Sequence, residues 1–301
     1  MSLAVCEWRK LFHLPALWVF LGLCLAFNAL LLAGPSPYDR IFFNETSADA
    51  TTLGQRVDND FRVRLAALPD TENREILRQS VTNMENIFET YDTEKLATFY
   101  QEVTAGDSIA QDILTWKYEL LQDRVDHLAQ TDAALDLYAG PITQDSHQYL
   151  YNNLLRAIVT EGILLGVLCT LYLMGYEKLT GTQDVICTSR VGRQLWRRKV
   201  RISIVASLGL YALLILATLG PYLFLWNYNG IWESSVSSQF NYYADLFFVR
   251  PFLTWIDLTV RQYFIAMIVA GGVLVMVFTL LTTAVSLRLR HTYMAAATVL
   301  F

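Results

Sequence analysis

The chain has 301 residues, of which 54% are hydrophobic and only 17% are charged. An average globular domain carries about 25% charged residues, so this composition excludes an ordinary soluble enzyme. Residues 35–150 hold 21 of the 28 acidic residues but 9 of the 23 basic ones, which leaves the rest of the chain basic and apolar. This partition predicts a membrane protein with one large acidic domain outside the bilayer, and it argues against nucleic acid as a partner.

Residues 1–14 are predicted to form a short helix in the membrane interface. Helical spacing places the apolar side chains near one face and the charged ones elsewhere; the apolar set is Leu3, Cys6, Leu11 and Leu14, and the charged set is Glu7, Arg9 and Lys10. Pro15 separates this helix from the next apolar stretch. A frayed beginning of the first membrane span is the alternative interpretation.

Four apolar stretches are long enough to cross a bilayer, which takes about 20 residues. They cover residues 14–33, 154–176, 202–226 and 262–287. The first could be a cleaved signal, but its apolar core exceeds the roughly 7 to 15 residues of such a signal, and further spans follow. The sequence therefore predicts an all-α, polytopic membrane protein. Residues 292–301 supply only about 15 Å of helix, so they are expected to start a fifth span that is cut short, or else to form an interfacial tail.

The basic residues orient these spans, because Lys and Arg close to span ends stay in the cytoplasm. The segment 177–201 carries seven basic and two acidic residues, and Arg9 and Lys10 precede the first span. We therefore expect a multi-pass protein of the cell membrane, with the N-terminus and residues 177–201 cytoplasmic and residues 35–150 extracellular.

The extracellular domain, residues 35–150, is predicted to be helical. After a polar linker that includes residues 44–52, apolar residues recur every three or four positions up to Pro69. Later helices are expected to begin at Asp70 or Thr71, at Asp92 or Thr93, and at Asp107 or Ser108. Their apolar stripes are expected to form the core of this domain, with a ligand groove as the alternative.

Residues 227–261 form an extracellular segment rich in aromatic residues, including Tyr228, Trp232, Phe240 and Trp255. Tyr and Trp favour the membrane interface, so the segment is expected to lie along the outer membrane surface. A sharper alternative is an aromatic lining for an apolar substrate.

Motifs for catalysis and metal binding are absent from the sequence. There is no G-x-x-x-x-G-K-[ST] loop for phosphates, no H-E-x-x-H, no cysteine pair at zinc spacing and no G-x-S-x-G. The four histidines are scattered, and all four cysteines lie outside residues 35–150. The sequence thus predicts neither an enzyme nor a bound metal or cofactor.

Glu161 is a charged residue inside the second predicted span. Counted back from Tyr176, it lies about four residues inside the outer boundary of a span of about 20 residues. A carboxylate that shallow can reach the headgroups, so an interfacial position is expected, with a substrate cavity as the alternative.

The segment 177–201 carries the most informative pattern. Gly181 is expected to interrupt the second span's helix, Thr182 can cap a short helix through Thr188, and Gly192 permits the turn into the third span. This pattern resembles the coupling-helix region of ABC-2-type permeases, the membrane subunits of bacterial ABC exporters. The positions that match are Glu177, Gly181, Thr182, Val185, Ile186, Thr188, Ser189, Gly192, Arg193 and Lys199.

The opening residues 7–12, which lead at once into a span, also look like the start of such subunits. Two features depart from the family: its members generally have six spans, and the insert after the first span is larger here than in the plain members. The resemblance implies an exporter subunit that binds no ATP itself. It works with a separate ABC ATPase subunit and with a second permease subunit, as a homodimer or a heterodimer.

In that interpretation residues 182–188 form the helix that docks on the ATPase, with Val185 and Ile186 as apolar anchors and Arg193 as a polar contact. Two alternatives stand beside it. The segment could be an ordinary connector whose basic residues contact anionic membrane lipid. The whole chain could instead be a membrane-anchored receptor or sensor whose helical extracellular domain binds a ligand.

Overall fold

The computed structural model describes residues 3–94, 98, 108–182, 188, 192–243 and 253–288. The α-helices of these residues are α1 (Leu3–Phe12), α2 (Pro15–Ala33), α3 (Pro37–Leu53), α4 (Asn59–Ala66), α5 (Glu72–Thr82), α6 (Ser108–Gln130), α7 (Thr143–Gln148), α8 (Arg156–Leu179), α9 (Gly192–Leu225), α10 (Phe240–Tyr243) and α11 (Val260–Arg288). A π-helical turn, Tyr149–Leu155, leads from α7 into α8. Only two isolated β-bridges and no strands occur in this part of the chain, so the predicted all-α fold is confirmed.

The chain divides into two compact units. The membrane unit comprises residues 1–35, 148–225 and 265–301, and the insert unit comprises residues 36–147 and 226–264. Each unit therefore combines segments that are distant in sequence.

Four helices are long and apolar enough to cross a membrane: Pro15–Ala33, the helical stretch that ends at Leu179, Leu195–Leu225 and Val260–Arg288. They agree with the four predicted spans. Helix α8 ends later than predicted, at Leu179 instead of 176, and α9 begins earlier, at Gly192 instead of 202. Leu30, Leu216 and Phe224 are 72%, 72% and 90% exposed, as expected for side chains that face lipid. The expected beginning of a fifth span, residues 292–301, lies outside the described residues.

Glycines allow close packing inside the membrane unit. A Cβ atom on Gly162 of α8 would lie 2.9 Å from the ring of Tyr211 on α9, and one on Gly166 would lie 3.0 Å from the hydroxyl of Ser207. Small residues at such crossings bring helix backbones together in a bilayer. Tyr211 in turn donates a hydrogen bond of 2.9 Å to the carbonyl of Ile268 on α11.

The insert unit begins with a helix where a polar linker was predicted. Residues 44–52 belong to α3, which starts at Pro37 behind the capping side chain of Ser36. Phe42, Phe43 and Ala50 of α3 are buried, and this burial outweighs the weak helix propensity of the Asn, Thr and Ser residues among them. The helix ends at Gly54, whose φ of 96° suits glycine.

The aromatic segment completes the core of the insert unit and does not simply coat a membrane surface. Tyr228 and Phe240 are 2% and 3% exposed, and Trp226, which was predicted as the last residue of the third span, is 3% exposed. The ring of Phe43 lies 5.0 Å from that of Trp226 and 4.8 Å from that of Tyr228. Trp255 is 59% exposed. The expectation of an interfacial segment is therefore wrong for the buried rings of Tyr228 and Phe240: Tyr228 packs on α3, and the ring of Phe240 lies 5.1 Å from that of Phe88.

The apolar stripes of α4 and α5 form a core, as predicted: Phe61, Leu65, Leu77 and Val81 are all buried. In α6 only the second half contributes to the core, through Val125 and Leu128. Ile109, Ile113 and Trp116 of its first half are 58–70% exposed, contrary to the expectation that the whole stripe is core. The helix predicted from Thr93 continues into residues outside the described ranges.

Candidate coupling site where α1, α8 and α9 meet

The N-terminal helix α1 buries a charged residue in the membrane unit. Glu7 and Leu11 are each 2% exposed. They lie four residues apart and so share a helix face. From the sequence, Glu7 was predicted to lie away from the apolar face of this helix. The structure buries it because lysines of α1 and α9 lie next to its carboxylate.

Two carboxylates and two ammonium groups alternate in this cluster. Lys10 Nζ donates to Glu7 Oε1 and, over 3.0 Å, to Glu177 Oε1 at the end of α8. Lys199 Nζ of α9 donates to Glu177 Oε2 and to the backbone carbonyl of Leu173, and it lies 4.0 Å from Glu7 Oε2. We call Glu7, Lys10, Glu177 and Lys199 the charge cluster. Its members lie on three helices, of which α1 is distant in sequence from α8 and α9.

The charge cluster is deeply buried and electrically balanced. Glu177 is 4% exposed and Lys199 is 0% exposed. Burial works against the charge on Lys10, but its hydrogen bonds to Glu7 and Glu177 outweigh that effect, so the pKa of Lys10 is raised. Its ammonium also lies 4.4 Å above the ring of Tyr176, a cation–π contact. Removing one member would leave an uncompensated buried charge, which costs about 3–5 kcal/mol.

Helix α8 ends next to the charge cluster at the predicted glycine. Gly181 has a φ of 68°, the left-handed conformation that glycine adopts most readily. The amide of Thr182 donates to the carbonyl of Glu177 over 2.9 Å, and that of Gly181 donates to Lys178 over 3.3 Å. This pair of bonds is a Schellman motif, which satisfies the last carbonyls of the helix. The chain thus leaves α8 in a fixed direction.

The predicted site residues fall into three groups. Glu177 and Lys199, which are 22 residues apart, come into direct contact, and Gly181 and Thr182 form the helix end. Thr188 is exposed, while Gly192 and Arg193 are the first residues of α9. Val185, Ile186 and Ser189 lie outside the described residues. Sequence reasoning did not identify Glu7 and Lys10 as partners of this group, although the four-residue spacing of Glu7 and Leu11 is a usable signal.

Glu161 lies in a different part of the membrane unit. It is 8% exposed, and its Oε2 accepts a hydrogen bond of 2.8 Å from Nδ2 of Asn28 on α2. The expected interfacial carboxylate, reaching out to headgroups, is therefore wrong. Asn28 continues the buried face of α2 formed by Leu17, Leu21 and Cys24, so the amide reaches the carboxylate from a neighbouring helix.

The insert unit carries a shallow acidic cleft of about 380 Å³. Asp136, Glu233 and Asp257 contribute carboxylates to its lining. Burial raises the pKa of Asp136 above its ordinary value, although the amide of Ser235 and the guanidinium of Arg56 oppose that shift. No group of three His, Cys, Asp or Glu residues suited to a metal ion occurs in the part of the chain that the structure describes.

Comparisons with protein-family models, with curated proteins and with solved structures give no match to this chain.

Proposed function

We propose that this chain is the membrane-spanning permease subunit of an ABC exporter in the cell membrane. In this proposal a separate ATPase binds to the cytoplasmic segment 177–201 and drives transport across the membrane. The N-terminus is cytoplasmic and the insert unit extracellular. The proposal rests on the resemblance of segment 177–201 to a coupling-helix region and on the charge cluster.

The charge cluster is the observation that carries the proposal. A segment that passes force from an ATPase into a bilayer needs ends that move with the membrane helices. Lys10 and Lys199 both contact Glu177, so α1, α8 and α9 are joined at the base of the segment. Because separating buried ion pairs is costly, a displacement of the segment would be shared by all three helices.

The same contacts argue against an ordinary basic connector. A connector that only orients the protein would present its lysines and arginines to anionic headgroups. Lys199 is instead fully buried and bonded to Glu177 and Leu173. Orientation alone gives no reason for this burial.

Co-purification tests the proposal. The tagged full chain, expressed in its native host, should recover an ATPase from solubilised membranes. Ile186→Asp should release that ATPase, because truncating or charging an apolar anchor costs about 2 kcal/mol or more at an interface hot spot. Arg193→Glu should weaken recovery less, because a charge at the rim is screened by solvent.

Arg197→Gln is the matched control in the same segment, at an exposed position outside the residues that match the coupling-helix pattern, and it should leave recovery unchanged. Equal recovery with Ile186→Asp and wild type would contradict the docking role. Failure to recover any ATPase from either would contradict the permease proposal itself.

A receptor or sensor is the second candidate, and the acidic cleft of the insert unit is the observation that favours it. The cleft has a size that suits a small polar ligand, and each of its three carboxylates also pairs with an arginine of the chain: Asp136 with Arg56, Glu233 with Arg261 and Asp257 with Arg124. A receptor would bind such a ligand without any ATPase, so the co-purification experiment separates the two functions.

A further inference from the structure

Asn28 and Glu161 leave one hydrogen-bonding atom without a partner inside the membrane unit. Asn28 is 1% exposed, and its Nδ2 donates to Glu161 Oε2. Its Oδ1 is buried and accepts no hydrogen bond. A buried acceptor without a donor costs about 1–3 kcal/mol. A further hydrogen-bond donor next to Asn28 Oδ1 would remove this cost.

Glu161 itself has no cation beside it. None of the ion pairs found among the described residues includes Glu161. Glu177, which is also buried, differs in having two lysines. Burial of an isolated carboxylate strongly disfavours its charged form, and a group in that position usually takes up a proton instead.

In the described part of the chain, the neighbouring helices place no charged partner on Glu161. On α2 the nearest buried titratable side chain of the same face is the thiol of Cys24, one turn before Asn28. On α9 it is the phenol of Tyr211, which packs on Gly162 and donates to Ile268. Helix α11 contributes the apolar Val275 beside Gly162. Arg156, on α8 itself, is exposed.

We infer that Asn28 and Glu161 form an intramembrane proton-binding site. A carboxylic acid and a primary amide pair through two hydrogen bonds: the amide N–H donates to one acid oxygen, and the acid O–H donates to the amide oxygen. The first of these bonds is present here. A proton taken from water by the Glu161 carboxylate forms the O–H group and provides the donor that Asn28 Oδ1 lacks.

This site links the protonation of Glu161 to the contact between α2 and α8. The packed arrangement of α2 and α8 stabilises the neutral acid. An ionised Glu161 would need water or a cation beside it, and therefore an opening between the two helices. The site goes beyond the proposed export function, because it needs neither an ATPase nor a transported molecule.

Infrared spectroscopy of the full chain in liposomes at about pH 6 tests the inference, because exposed Asp and Glu are ionised there. Wild type should show a carboxylic acid C=O stretch that is lost in Glu161→Gln, a near-isosteric change. Glu233→Gln, at an exposed carboxyl group, is the control and should leave the acid band unchanged. Asn28→Leu should keep the band but move it to higher wavenumber, since the C=O group loses its amide donor.

If Glu161→Gln instead removes only a carboxylate band, then Glu161 is ionised and a water or a cation satisfies the pair, which overturns the inference. The comparison of wild type with Asn28→Leu decides the matter even if Glu161→Gln does not fold. The site is contradicted if wild type shows no acid band, or if its acid band does not shift in Asn28→Leu.

Discussion

Glu177, in the last turn of α8, and Lys199, in the second turn of α9, are buried ion-pair partners that close the two ends of one segment. They are 4% and 0% exposed. The bond therefore fixes where the segment between them leaves and re-enters the helices. Lys10 of α1 adds a second cation to the same carboxylate.

Lys199→Met should destabilise the membrane unit strongly. The substitution keeps most of the apolar stem but leaves Glu177 with Lys10 as its remaining cation. We expect a loss of about 3 kcal/mol, near the lower end of the range for breaking a buried pair, because Lys10 remains. Thermal unfolding of the purified chain in detergent measures the loss. Arg197→Met, at an exposed position of the same helix, should change stability by less than about 0.5 kcal/mol.

The double variant Glu177→Leu with Lys199→Met should recover much of that stability. Replacing both members of a buried pair with apolar side chains removes the cost of burying an unpaired charge. The same unfolding measurement on both single variants and the double variant yields a coupling energy, expected at about 1–3 kcal/mol. Additive effects would mean that the two side chains do not act as a pair.

Gly181→Ala should loosen the end of α8. The φ of 68° costs an alanine about 1 kcal/mol, although a Cβ atom there meets no neighbour within 4 Å. Hydrogen exchange should speed up at the amides of Gly181 and Thr182, which form the Schellman motif. Gly209→Ala is the control, since Gly209 lies inside α9 with open space and no left-handed backbone; it should not be destabilised.

The sequence predicted the spans because about 20 apolar residues in a row have few structural alternatives. It also located the break at Gly181, since a glycine after a helix is a local signal. It missed helix α3, whose polar residues become helical only because Phe42 and Phe43 are buried. It missed the partners Asn28 and Glu161, which are 133 residues apart, because nothing local records a contact between two spans.

Labelling of single cysteines tests the proposed topology. The four native cysteines are first replaced, and then Gln79 on α5 or Thr188 is changed to Cys; both positions are exposed. The positive-inside rule places Gln79 outside and Thr188 in the cytoplasm. An impermeant maleimide should therefore label Gln79→Cys on intact cells, and it should label Thr188→Cys only after the membrane is opened. The reverse pattern would invert the orientation.

Acid pH should weaken one contact inside the insert unit, the one that Asp257 makes with His127 and Arg124. Asp257 accepts hydrogen bonds of 2.8 Å from His127 and 2.7 Å from Arg124, whose guanidinium is 8% exposed and also donates to the carbonyl of Thr254. The bond from His127 contributes most to a lowered pKa of Asp257, which Arg124 lowers further.

A lowered pKa in the folded state means that these contacts stabilise the fold fully above the ordinary Asp pKa of about 3.9. That contribution is lost as the pH falls through the lower, folded value. Asp257→Asn should thus accelerate hydrogen exchange in residues 124–130 and 253–259 at neutral pH, with an effect below about 1 kcal/mol because the carboxylate is largely exposed. The difference between wild type and variant should shrink as the pH falls below about 3.9, and a difference that persists there would show that Asp257 does not stabilise this contact through its charge.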